Sequence, residues 1–295
     1  MNSAAYVHGT STVPLLGETI GENLRRTVES SGEREALVVP HQSFRATYNE
    51  FWDLTGRAAR GLISRGVAKG DRVGIWSPNR YEWTVVQYAT ARIGAILVNI
   101  NPAYKAAELE YVLNQSRISL LVLARTFRET DYLEILGAVK GRCPELSEAL
   151  VLEDGWDALI RDGDGVAESE LTTREATLQF DEPINIQYTS GTTGFPKGAT
   201  LSHFNILNNG YFTTETINFT EQDRLAIPVP FYHCFGMVMG NLGCTSHGAC
   251  MVIPAPGFEP STTLRFLPEY FTRQPFELAC RPEASSRTPA FANSS

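Results

Sequence analysis

At 295 residues, 43% of them apolar, the chain is long enough for one large or two ordinary domains with a real core. A formal net charge of −8 argues against a general nucleic-acid binder, and no apolar run approaches the length of a transmembrane segment. The five cysteines (Cys143, Cys234, Cys244, Cys250 and Cys280) are odd in number and form no Cys-x-x-Cys pair, and Glu18 and Glu22 weaken a transit-peptide reading, so a cytoplasmic rather than mitochondrial chain is expected.

Residues 1–15 are small and polar and read as a flexible N-terminus. Thr47-x-x-Glu50 is a capping-box pattern before an amphipathic stretch carrying Phe51, Leu54, Ala58 and Leu62. Gly66 ends that helix, Lys69-Gly70-Asp71 turns, and Val73 to Trp76 reads as a strand. Helix–strand pairs follow at Glu82–Arg92 with Ile96–Asn99, at Ala107–Asn114 with Leu120–Leu123, and at Thr130–Lys140 with Ala149–Leu152. Such alternation predicts an α/β fold of mostly parallel sheets flanked by helices. Gly155 to Glu170, acidic and glycine-containing, reads as a surface loop.

Ile184 to Tyr188 alternates as a short strand and leads into Thr189-Ser190-Gly191-Thr192-Thr193-Gly194-Phe195-Pro196-Lys197-Gly198. Four hydroxyls, three glycines and a lysine in ten residues suit a polyphosphate: glycines let backbone N–H groups approach, hydroxyls donate, and the lysine adds a point charge. Ser202 is the expected N-cap of a helix over His203–Asn209, so strand, loop and helix would form a phosphate cradle. Only two residues separate Gly191 from Gly194, and Lys197 is followed by Gly198, so this is not the common nucleotide P-loop. The bland alternative is a flexible polar linker with one solvated lysine.

Cys244-x-x-His247-x-x-Cys250, with His233 and Cys234 upstream, has the residue types of a zinc site. Against it stands the reading of both thiols as small buried hydrophobes beside the apolar run Ala249–Ile253, so no metal held by the protein is expected. Neither a zincin helix motif nor a Gly-x-Ser-x-Gly elbow occurs.

The ten-residue loop resembles the signature loop of the adenylate-forming (AMP-binding) superfamily, which holds acyl-CoA synthetases, luciferases and peptide-synthetase adenylation domains. Gly70–Asn79, Gly94–Pro102 and the aromatic-histidine run Pro228–Gly236 are similar to further acyl-CoA synthetase motifs. The pattern is most like the branch that includes acyl-CoA synthetase family member 2, which acts on medium-chain fatty acids. The resemblance spans about Leu16 to Thr263. It implies the N-terminal large domain of such an enzyme, with a first α/β subdomain over 16–170 and a second, incomplete one over 171–263.

Residues 264–295 form a non-matching tail, expected to be disordered. Pro254, Pro256, Pro260, Pro268, Pro275, Pro282 and Pro289 leave no room for a long helix, and no helix is expected after Phe258-Glu259-Pro260. The adenine segment, the ribose aspartate, the hinge and the C-terminal catalytic lysine are not found, so no complete catalytic set is expected.

The resemblance also implies the chemistry. A carboxylate attacks the α-phosphorus of ATP, carried with Mg2+, to give an acyl-adenylate and pyrophosphate; coenzyme A then displaces AMP. Thr189, Ser190, Thr192 and Thr193 would donate to the β/γ-phosphates, Gly191, Gly194 and Gly198 would permit close approach, and Lys197 would screen charge. His233 would stand between the carboxylate and the α-phosphate, with Tyr232 and Phe235 shaping the acyl pocket; outside this motif, His233 would read as a satisfied core histidine. The expected partners are therefore ATP, a medium-chain fatty acid and coenzyme A, with no nucleic acid. A non-catalytic nucleotide- or partner-binding fragment is the second reading, and a kinase-like phosphotransferase is disfavoured by the missing Gly-Lys-Ser/Thr.

Overall fold

A computed structural model describes residues 13–189 and 196–264. Thr19 opens α1 (Ile20–Ser31) with a reciprocal cap: its hydroxyl accepts the Glu22 N–H and the Glu22 carboxylate accepts its own N–H. β1 (Glu35–Val39) and β2 (Phe44–Thr47) form an antiparallel hairpin. Thr47 then caps α2 (Tyr48–Ser64) with Glu50, as the capping-box pattern predicts.

From there strands and helices alternate: β3 (Arg72–Trp76), α3 (Tyr81–Ile93), β4 (Ile96–Asn99), α4 (Ala106–Gln115) and β5 (Leu120–Leu123). A small hairpin, β6 (Thr126–Phe127) and β7 (Thr130–Asp131), precedes α5 (Tyr132–Val139), β8 (Glu148–Val151), α6 (Leu152–Asp164) and α7 (Glu168–Glu175). β9 (Pro183–Thr189), β10 (Lys197–Ser202), α8 (His203–Thr216) and β11 (Arg224–Ala226) follow. A π-helical stretch, Phe235–Leu242, then runs into α9 (Gly243–His247) and β12 (Cys250–Val252).

The larger sheet has the order β10-β9-β4-β3-β5-β8 and is parallel except at the β10–β9 pair. Its central strands β4, β3 and β5 are largely apolar on both faces, as a covered parallel sheet requires. Val73, Ile75, Leu97, Leu120 and Val122 pack with α2, α3 and α6, while Trp76, Val98, Leu121 and Leu123 pack with α4 and α5. The second sheet, β11-β12-β1-β2, is parallel across β11-β12-β1. Each sheet takes strands from both sides of residue 170.

Three local expectations are corrected. Gly155–Glu170 is not a loop but most of α6, the link after it and the start of α7. Its apparent breaker Gly163 marks a helix crossing: a Cβ there would lie 2.0 Å from the Arg57 carbonyl oxygen of α2. Two of its acidic residues are paired, Asp164 with Arg57 and Asp162 with Arg65. Second, α5 begins two residues later than expected, because Asp131 caps it by accepting the Leu133 and Glu134 N–H groups. Third, residues 260–264 are helical, with the Thr263 N–H on the Glu259 carbonyl. Pro260 opens that turn, a position where a missing N–H costs nothing. Beyond it, the tail expected at 264–295 lies outside the described residues from 265 on, as do residues 1–12.

Candidate functional site

The carboxyl ends of β3, β4 and β9 lie side by side, since these strands are parallel and β4 pairs with both β3 and β9. In open α/β sheets that edge is where ligands bind. The sequence places three of its motifs there: Ser77-Pro78-Asn79 after β3, Asn99 closing β4, and Thr189 closing β9.

Thr189 and Lys197 face each other as partners at the loop end of the β9–β10 hairpin, and both are exposed. Ser190, Gly191, Thr192, Thr193 and Gly194 lie outside the described residues. The hairpin corrects the expected strand–loop–helix cradle. Ser202 does cap α8, accepting the Asn205 N–H. The six-residue strand β10 stands between the loop and that cap, which carries the helix N-terminus on the order of 17 Å from Lys197. A helix dipole acts within about a turn of its end, so the N-terminus of α8 is too far away to act at Lys197. Gly198 pairs with Tyr188 in the stem, and a Cβ there would meet Ile186 Cγ2 at 3.0 Å.

α4 holds the stem. Tyr111 donates its hydroxyl to the Pro196 carbonyl (3.1 Å), and Gln115 Nε2 donates to that same hydroxyl (2.7 Å). Tyr188 donates to Gln115 Oε1 (2.7 Å), so its contact with Ser116 Oγ (2.6 Å) has the serine as donor, because a tyrosine has one proton. Burial pushes the Tyr188 phenol above its ordinary range, which keeps that proton in place.

The aromatic-histidine run forms a turn that enters the π-helical stretch, a rare conformation that is frequent at functional sites. Phe231 is buried against Trp83, Tyr232 is half-buried, and His233 and Phe235 are exposed. The Phe235 N–H donates to His233 Nδ1 at 3.1 Å, so the neutral ring carries its proton on Nε2. Burial pushes the Cys234 thiol up, away from thiolate chemistry.

Residues that sequence reasoning missed join the turn to the sheet. Asn185 and Gln187 on β9 and Asn99 on β4 are buried polar side chains. Asn185 Nδ2 donates to Asn99 Oδ1 (3.0 Å), and Asn99 Nδ2 donates to Gln187 Oε1 (3.1 Å). Gln187 Nε2 then donates to the Tyr232 carbonyl, with Asn99 Nδ2 at 3.4 Å from it. Thr189 is two residues from this bond along β9, about 7 Å, and His233 is the residue after Tyr232. The only sequence signal was polar residues at alternate strand positions, which usually face water.

The candidate zinc ligands are spent otherwise. Cys244 and Cys250 sit in the core, and burial pushes the Cys250 thiol up to about 12. His247 places Nδ1 near Thr214 Oγ1 and the Gly243 carbonyl, and Nε2 on Glu215.

Comparison with known proteins finds that the family model described as "AMP-binding enzyme" matches residues 24–278, a span that runs past Thr263. The YngI protein of Bacillus subtilis is 42% identical over 274 residues, covering 85% of this chain and 49% of that protein. The human mitochondrial medium-chain acyl-CoA ligase ACSF2 is 38% identical over 284 residues, covering 88% of this chain and 46% of the ligase. Among solved structures, the inhibitor-bound N-terminal domain of FACL13 from Mycobacterium tuberculosis superposes with a TM-score of 0.71 at 26% identity, over 85% of this chain and 61% of that one. The chain spans about half the length of the curated relatives it matches.

Proposed function

This chain is a member of the AMP-binding enzyme family, and from that premise we propose that it carries the phosphate- and acid-binding part of an ATP-dependent fatty acyl-CoA synthetase. The observation that supports this most is the bond from Gln187 on β9 to the Tyr232 carbonyl. It sets the lysine-bearing hairpin and the histidine turn beside each other at the carboxyl edge of a parallel sheet.

In this reading a fatty acid carboxylate attacks the α-phosphorus of ATP, the α–β bridging bond breaks, and pyrophosphate leaves with its magnesium. A thiol, that of coenzyme A, then attacks the acyl carbonyl and releases AMP. The protein supplies position and charge rather than covalent chemistry. Thr189, Ser190, Thr192 and Thr193 donate to the departing phosphates, and Lys197 offsets their charge. His233 offers an Nε2–H donor where carboxylate oxygen and α-phosphate meet, and Tyr232 and Phe235 bound the acyl chain. The name of the human relative makes a medium-chain acid the first substrate to try.

The test is pyrophosphate release from ATP and octanoate, run on the 295-residue chain and on the same chain fused to the C-terminal half of a relative. Acid-dependent release by the fusion, reduced by Lys197→Ala, is the expected result. ATP binding without release from either protein would favour a non-catalytic nucleotide-binding role.

A further inference from the structure

The approach to the turn that carries His233 lacks a main-chain ladder of its own. Pro228 and Pro230 lack N–H groups, so an ordinary main-chain ladder is not available through Val229 and Phe231. The structure replaces that ladder with one side chain. Asn79, 2% exposed, accepts the Phe231 N–H on Oδ1 at 2.9 Å and donates from Nδ2 to the Val229 carbonyl at 2.8 Å. Its planar amide spans Pro230 as a neighbouring strand would. Its own N–H is fixed on the Pro256 carbonyl at 2.9 Å, so the amide cannot drift.

The next residues inherit that geometry. The His233 N–H donates to the Pro230 carbonyl at 3.2 Å, and the Gly236 and Met237 N–H groups reach the His233 carbonyl at 3.0 and 3.3 Å. A Cβ at Gly236 would lie 2.7 Å from the Pro230 oxygen, so turn and π-helical stretch touch backbone to backbone. From β9 and β4, Gln187 and Asn99 hold the Tyr232 carbonyl. The imidazole then has one place in which Nδ1 can accept from Phe235.

We propose that Asn79 is a positioning residue for His233: it touches no reacting group, but by bridging Val229 and Phe231 it fixes the place and tautomer of the imidazole, with Gln187 completing the hold from the phosphate-hairpin strand. The proposal rests on the reading of His233 as the acid-site histidine. The site needs one donor and one acceptor on a short planar group. Asparagine alone supplies both at this length: aspartate offers no donor and glutamine is one methylene longer.

Imidazole nitrogen-15 spectra of the intact chain test it, with the His233 signals assigned by their loss in His233→Asn. Wild type is expected to show the separated Nδ1 and Nε2 shifts of a single Nε2–H tautomer. In Asn79→Ala the separation narrows toward that of a free imidazole, and the Phe231 amide exchanges on the order of tenfold faster. Gln187→Glu, which removes the donor to Tyr232 while keeping the side-chain length, narrows it as well and decides the matter if Asn79→Ala does not fold. Tyr88→Phe, which loses the buried bond to Thr245, lowers stability and leaves the His233 shifts unchanged.

Unchanged shifts in the folded Asn79 and Gln187 variants overturn the proposal, and so does an equal change in Tyr88→Phe. A wild type that binds no ATP yet shows the Asn79 effect would refute the ligase reading and leave the positioning intact.

Discussion

Mild acid should destabilise this protein through one histidine at the start of α8. His203 is 1% exposed, and its Nδ1 accepts the Ile20 N–H at 3.1 Å. Burial lowers the imidazole from its ordinary 6.5 to about 4, with Lys69 acting in the same direction and Glu182 and Glu22 only partly opposing it. A base whose folded pKa is depressed is neutral in the native state and takes up a proton on unfolding. Its contribution is therefore present above pH 6.5 and lost as the pH falls toward 4. The gap is worth about 3 kcal/mol in full, of which about 2 kcal/mol is lost between pH 7 and pH 5.

Urea titrations of wild type and His203→Gln at those two pH values isolate the effect, because the glutamine oxygen can accept the same N–H and does not titrate. His41, lowered by burial in both proteins, cancels in the difference. Burial alone would raise Glu35 and Glu182, but Arg224 and Lys69 hold them below the ordinary 4.5, so their loss comes at lower pH. Wild type should lose about 2 kcal/mol more than His203→Gln over this range. Equal pH dependence in the two proteins would show that His203 does not carry this loss.

Three further outcomes follow from packing and charge. Gly163→Ala should cost about 1–3 kcal/mol in urea unfolding, because its Cβ would strike the Arg57 carbonyl backbone, whereas Gly137→Ala in α5, with nothing within 4 Å, should be neutral or gain up to about 1 kcal/mol. Glu175→Ala should cost about 3 kcal/mol, because Arg92, its side chain 5% exposed, loses its carboxylate partner and keeps only the Trp52 and Thr55 oxygens and the Trp52 ring. Glu145→Ala removes the partner of Arg117 from an exposed pair and should change the urea midpoint by less than about 1 kcal/mol.

The alternation of elements was legible because a covered parallel sheet writes itself as short apolar runs between amphipathic stretches. β4 and β5 fall where Ile96–Asn99 and Leu120–Leu123 predicted them, and Thr47 and Glu50 make the cap their spacing announced. Glycine misled at Gly163, where the residue serves a helix contact rather than a turn, and sequence does not distinguish the two uses. β10 was hidden because Lys197–Ser202 is polar and mostly exposed, so its pairing rests on the main-chain ladder to β9 rather than on an apolar pattern.

In the candidate site, the aromatic-histidine turn was legible as a motif, but what holds it was not. Asn79, Asn99, Asn185 and Gln187 are ordinary surface residue types. Their burial depends on a turn more than forty residues further along the chain folding back over the sheet, a contact that no local pattern encodes.

The most direct test of the account is calorimetric titration of ATP with Mg2+ into the 295-residue chain and into Lys197→Ala. Saturable binding to the wild type is expected, with a loss in the variant on the order of 1.5–3 kcal/mol, roughly 10- to 150-fold, for one charge-assisted contact, and an unchanged unfolding midpoint. Absence of binding to the folded wild type, or equal affinity in the two proteins, would contradict it.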